Sequence, residues 1–191
     1  DQCADEKSNV KDESFQVRFN DGGQGKCSGS MAWEMPIDNE HLIAIHTKYG
    51  NQEAIEQQLI RPTVEKAVYM SGPLMSSKES AAEKRTMLLS HIEDQVQHGV
   101  YKTETVSENQ KDAITGQDHT VNLVQLAKDK NGAIIRTDES PFIEFGIRTF
   151  NLALNEVKYD DAVERQIADQ QQLVMRVQTA IAESKTAEQA A

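Results

Sequence analysis

The sequence predicts an α+β fold, with strands, a helical middle section, further strands, and a long C-terminal helix that begins a coiled-coil-like segment. Three observations carry this prediction. Apolar residues alternate with polar ones near the N-terminus and again between 100 and 157, the period of a half-buried strand. Between those regions they recur at steps of three and four, the period of a helix. From 159 to 191 there is neither Gly nor Pro, and Ala, Gln and Glu dominate. The chain therefore divides into a polar linker over 1–14, an α+β domain over 15–158, and the start of a long helix over 159–191.

Phe15, Val17 and Phe19 alternate with Gln16 and Arg18. Asp21-Gly22-Gly23 signals a turn, and Met31, Trp33 and Met35 form a second alternating run up to Pro36. Together they read as a hairpin. Asp38 caps a short helix over Leu42–Thr47 that Gly50 stops. A longer helix starts near Asn51 and carries Ile55, Leu59, Ile60, Val64, Ala67 and Val68. Pro62 lies inside it and must start or kink the helix around Arg61–Thr63, because its ring clashes with the preceding turn. Ser71-Gly72-Pro73 breaks the chain. Ser76 and Glu79 form a capping box that opens one helix to about His98, with Met87, Leu88, Ile92 and Val96 on its face and Gly99 beyond its end.

From Val100 to Val106 the period returns to two. Residues 107–119 read as a polar loop and 121–126 as a strand. Lys130-Asn131-Gly132 turns the chain back into Ala133–Thr137, a hairpin signal. Phe142–Val157, with Pro141 at its head, reads as a long strand. In the final helix Val163, Ile167, Gln170, Val174, Val177, Ile181, Ser184 and Glu188 follow steps of four and three, a heptad seam that is apolar early and polar late. Packing of its first turns on the domain explains the spacing as well as a coiled coil does. Val163, Ile167, Val174, Val177 and Ile181 are its candidate oligomer-interface residues.

Composition excludes several function classes. Twenty Lys and Arg face 31 Asp and Glu, a formal charge of −11 with pI near 4.9. Such a chain does not neutralise nucleic-acid phosphates or bind an anionic lipid surface through a basic patch. Apolar residues make up 38% and aromatics 5%, so part of the chain is expected to have no core of its own. The longest apolar runs are Leu42–Ile45 and Ala67–Met70, far short of the ~20 residues of a spanning helix. The start at Asp1 reads as a processed or truncated piece.

Candidate chemistry is sparse. His91 and His98 sit two turns apart on one helix, too far for one zinc ion, and His41 and His46 point about 140° apart. Cys27 follows Lys26, which would lower its pKa slightly, but no base accompanies it. In an oxidising compartment Cys3 and Cys27 could pair. The Gly-rich run 21–25 precedes a strand, so it reads as a turn and not as a phosphate loop. Glu93-Asp94 and Asp160-Asp161 are adjacent and do not face each other on a helix, so caps or solvated charge account for them. No catalytic residue, cofactor or metal site is expected.

Residues 144–171, from Glu144-Phe145-Gly146-Ile147-Arg148 through Tyr159-Asp160-Asp161 into the Gln-rich helix, resemble the end of an SPFH (band 7) domain, the stomatin, prohibitin and flotillin group. Ile60-Arg61-Pro62-Thr63-Val64-Glu65-Lys66-Ala67-Val68 is similar to the family's proline-bearing helix. Glu79–Arg85, Ile92 and Gly99 look like its next helix and terminal glycine, and Trp33-Glu34-Met35-Pro36 matches the preceding β element. The resemblance covers roughly 15–191, and the order of the motifs is more specific than any one of them. Segment 107–140 is longer and more polar than the family pattern.

The resemblance implies a non-enzymatic, membrane-associated scaffold that assembles into a large ring or cage and organises a membrane microdomain. Its membrane segment would lie upstream of this chain. It implies self-association, with itself or a paralogue. The alternative it implies is an adaptor that restrains a membrane protease or another membrane client.

Overall fold

The computed structural model describes residues 14–111 and 118–189. Its order of elements is mixed α and β with small antiparallel sheets. Strand β1 (Phe15–Arg18) and strand β2 (Gln24–Glu34) pair antiparallel across the expected turn, with Phe15 opposite Cys27 and Arg18 opposite Gln24. Asp21 holds that turn by accepting the Gly23 N–H at 3.0 Å. Helix α1 (Asn39–Tyr49) is capped by Asp38, whose Oδ1 accepts the His41 N–H, and it stops at Gly50.

The next helix runs without interruption from α2 (Gln52–Ile55), through one π-helical turn (Glu56–Ile60), into α3 (Arg61–Ser71). The expected disturbance at Pro62 takes this form. Proline has no N–H to donate, so the chain takes up one extra residue just before it. Arg61 donates back to Glu56, five residues earlier, and the Thr63 hydroxyl donates to the Leu59 carbonyl at 2.7 Å. The extra residue places both Leu59 and Ile60 on the face that buries Ile55, Val64, Ala67 and Val68. A 3₁₀ turn (Gly72–Leu74) breaks the chain where Gly72-Pro73 was expected to.

The capping box at Ser76 and Glu79 is present, but the helix it opens is not the one expected. Helix α4 (Ser77–Ala81) ends after five residues, and α5 (Arg85–His98) starts anew. The residues between, Ala82-Glu83-Lys84, are good helix formers, so the break is tertiary in origin. Ser77 and Ser80 are buried, tied to Asp21 and to the Tyr159 hydroxyl, while Leu88, Ile92 and Val96 must enter the core from another direction. One straight helix cannot do both.

Gly99 ends α5 at φ +110°, and a side chain there would run into the Asp138 carbonyl, so no other residue fits. Strand β3 (Thr103–Lys111) and strand β4 (Asp118–Leu126) form a two-stranded antiparallel ribbon. The expected polar loop at 107–119 is therefore partly strand, and residues 112–117 of it lie outside the described residues. The turn at Lys130-Asn131-Gly132 forms, with Asp129 accepting the Asn131 and Ala133 N–H groups, but its arms make only isolated bridges.

The start of the expected strand at Phe142 is instead a helical turn, α6 (Pro141–Glu144), capped by Ser140, with proline in its first position. It buries Phe142. Strand β5 (Arg148–Tyr159) follows and pairs antiparallel with β2, completing a three-stranded sheet in the order β1-β2-β5. Helices α3 and α5 cover one face of that sheet. The core between them joins Val17, Phe19 and Cys27 to Val64, Val68, Leu88, Ile92, Val96, Phe142 and Ile147. Each fully buried aliphatic side chain contributes up to about 1.5–3 kcal/mol. Helix α7 (Asp161–Gln189) leaves this body from the end of β5.

Candidate functional site: the C-terminal helix and its root

Helix α7 has 29 described residues and is about 43 Å long at 1.5 Å per residue. Its root is built into the body. Asp160 Oδ1 accepts the Val163 N–H at 2.9 Å, satisfying one of the donors that a helix start leaves free. Val163 packs beside Ser77 over Gly23, where an added Cβ would lie 2.9 Å from both side chains. Asp21 Oδ2 accepts the Ser77 N–H and hydroxyl at 2.9 and 2.6 Å, which fixes that small floor in place.

Val163 is only 6% exposed, so the structure assigns this candidate interface residue to the chain's own body. It is unavailable to a second copy, because its surface is already covered by Gly23 and Ser77. Ile167 is half-buried and, with Val174 and Met175, lines one side of a groove of about 580 Å³. Ala81 and Ala82 line its other side. Val174 is 53% exposed there, and beyond the groove Val177 and Ile181 are 50% and 52% exposed. Among the described residues nothing buries the side chains of Val177 and Ile181.

Leu173 and Met175 are exposed apolar residues that the heptad spacing did not single out. Leu173 lies one helical turn before Val177 and widens the stripe, whereas Met175 lies about 100° around the helix from Val174. A count of apolar residues off the seam would have found both. Glu164, Arg165, Asp169, Arg176, Glu183 and Lys185 place both signs of charge on the exposed surface around it.

The residues considered for chemistry have structural partners. His41 Nδ1 lies 2.8 Å from Asp38 Oδ1, and His98 Nδ1 lies 2.9 Å from Asp94 Oδ1. Asp94 does more than the solvated charge expected of it. Its Oδ2 accepts from Arg136 at 2.7 Å, and Arg136 also donates to the Gly99 carbonyl and lies over the Tyr101 ring. Burial pulls the Asp94 carboxyl up, but Tyr101, Arg136 and His98 together outweigh it and hold the group below its ordinary value. Burial and the neighbouring carboxylate push the Tyr101 phenol up, and burial lowers the His91 imidazole. This cluster clamps the end of α5 to the chain around Tyr101 and Arg136.

Cys27 is 1% exposed, and burial pushes its thiol up to about 11, against a smaller opposing influence from Arg85. The slight lowering expected from Lys26 is therefore overturned: burial raises the thiol instead. Cys3 lies outside the described residues. Among the described residues no group of His, Cys, Asp and Glu is placed to hold a metal ion, and no helix is long and apolar enough to cross a membrane. No protein-family model, curated protein or solved structure matches the chain.

Proposed function

We propose that this chain is the SPFH-like body of a non-enzymatic, membrane-associated scaffold that self-associates through α7 into a large ring or cage and so organises a membrane microdomain. The observation that carries the reading is the stripe of Leu173, Val174, Val177 and Ile181. It stands exposed on a helix whose root is anchored and whose outer turns have no core of their own. Mixed charge beside an apolar seam is what side-by-side helices require. The net charge of −11 makes two copies repel at long range, so association needs such a local apolar contact. Those turns alone bury little, and residues 1–191 by themselves are expected to be a monomer or weak oligomer. A membrane tether would raise the local concentration and drive assembly.

The test is mass photometry of the full-length protein in detergent. Large assemblies are expected, and Val174→Asp with Ile181→Asp should dissolve them while the circular dichroism of the body stays unchanged. Assemblies of unaltered size in the double variant would remove α7 from the mechanism. A stoichiometric co-purifying client without large assemblies would favour the adaptor reading instead.

A further inference from the structure

Strands β3 and β4 spring from a root that is built apart from the main core. Tyr101 precedes the ribbon and Ala127 follows it, and both are buried outside the cluster that fills the space between sheet and helices. Tyr101 is 3% exposed. Main-chain bonds tie the root together: Lys102 donates to Ile135, Ala127 to Lys102, and Ile135 to Ala127. Tyr101 joins this unit to α5. Its N–H donates to the Gln95 side chain at 3.1 Å, and its hydroxyl donates to Asp94.

His91, Asp94 and His98 follow one another at steps of three and four along α5, so they share a face of that helix. His91 is half-buried and meets the Tyr101 ring at 5.6 Å between centres and 88° between planes. One Asp94 oxygen accepts from Arg136 at 2.7 Å, and the other lies 2.9 Å from His98 Nδ1. Arg136 also lies over the Tyr101 ring, 5.2 Å from its centre. Among the described residues, the titratable and charged groups around His91 are thus Asp94 and His98 on its own helix, and Tyr101 and Arg136 on the chain packed against it.

A neutral imidazole suits this place and a charged one does not. A proton on His91 puts a cation, partly stripped of water, beside a tyrosine ring that already carries the Arg136 guanidinium. Burial therefore lowers the His91 imidazole from its ordinary value, against the pull of Asp94, whose oxygens are already shared among Arg136, His98 and Tyr101. The same proton costs less once Tyr101 has swung away and water reaches the ring. We propose that His91 is an acid-opened latch: its protonation releases Tyr101 from α5 and frees the root of the β3–β4 ribbon. The closed form keeps its full stability above the ordinary imidazole value and loses it as pH falls through that value toward the lower one of the closed form. Asp94 stays ionised across that window, because its carboxyl is held below its own ordinary value. The inference does not depend on the scaffold reading.

The test is amide hydrogen exchange of the 1–191 protein, followed by NMR between about pH 7 and pH 5 and read as protection factors. Those of Tyr101 and Lys102 should fall at least about threefold more than that of Ile92 in the main core. His91→Gln, which cannot take up the proton, should abolish that extra fall, and His98→Gln should keep it. The wild-type His91 ring, titrated by NMR, should take its proton below the ordinary imidazole value. That measurement keeps the test decisive if His91→Gln does not fold. Unchanged protection at Tyr101, or a fall of equal size at Ile92, would overturn the proposal. So would an extra fall that persists in His91→Gln or vanishes in His98→Gln, or a His91 ring that titrates at or above the ordinary value.

Discussion

Val163 and Val174 are the same side chain on the same face of one helix, 174 − 163 = 11 residues apart. One is 6% exposed and the other 53%. Val163 faces the floor built by Gly23, Ser77 and Asp21, whereas Val174 lines an open groove beside Ala81 and Ala82 that leaves it half uncovered. Apolar spacing alone does not distinguish a residue that completes its own fold from one that waits for a partner. The distinction lies in whether a second element of the same chain reaches it.

The comparison breaks most sharply by mutating each region. Ile92, at the centre of the core and 0% exposed, should lose about 2–5 kcal/mol of stability as Ile92→Ala, the transfer free energy plus the cavity left behind. Val174→Ala should change stability by less than about 0.5 kcal/mol, since the groove beside Ala81 and Ala82 leaves it 53% exposed and alanine is a better helix former. Urea unfolding followed by circular dichroism checks both. If Val174→Ala costs as much as Ile92→Ala, the outer helix folds back on the body and the stripe is not free.

A smaller effect is expected at the polar point inside the body. Gln95 is 2% exposed, donates to Ser71 Oγ at 2.7 Å and accepts the Tyr101 N–H at 3.1 Å. Gln95→Leu keeps the volume but orphans that N–H, at a cost of about 1–3 kcal/mol. Faster amide exchange at Tyr101, with amides of the α7 root unchanged, would localise the loss to the α5 end.

A further small effect concerns acid. Against the opposing pull of burial, Tyr101, Arg136 and His98 hold the Asp94 carboxyl below its ordinary value in the folded chain. A carboxyl depressed on folding stabilises fully above its unfolded pKa and loses that contribution as pH falls through the lower folded value. Asp94→Asn should therefore destabilise the fold slightly near pH 7, by less than about 1 kcal/mol for a cluster only partly buried. It should also flatten the decline below about pH 4. Melting curves from about pH 2.5 to 7 check this; an unchanged acid limb would show that the cluster is not coupled to folding.

The capping box at Ser76, the Asp38 cap, the stop at Gly99, the turn at Asp21-Gly22-Gly23 and the disturbance at Pro62 were all legible in the sequence. Each is set by backbone geometry within about five residues, so the residue type carries the whole signal. The seam of α7 was legible for the same reason, as a period along one helix. What that seam touches was not.

Tertiary structure alone decided the rest. The chain bends at 82–84, against the preference of Ala82-Glu83-Lys84 for helix, because Ser77 and Ser80 are held by Asp21 and Tyr159 while Leu88 and Ile92 are held by the core. Phe142 turns into a helix where its pattern suggested a strand, because Ser140 caps it and the core has room for its ring. Residues 107–111 and 118–119 pair as strands without apolar alternation, through main-chain hydrogen bonds that leave little trace in residue type. Val163 was drawn into the body and Val174 left outside it by the placement of Gly23 and Ser77, remote in sequence from both. Local signals fix where an element starts and stops, whereas burial depends on which distant surface arrives opposite it.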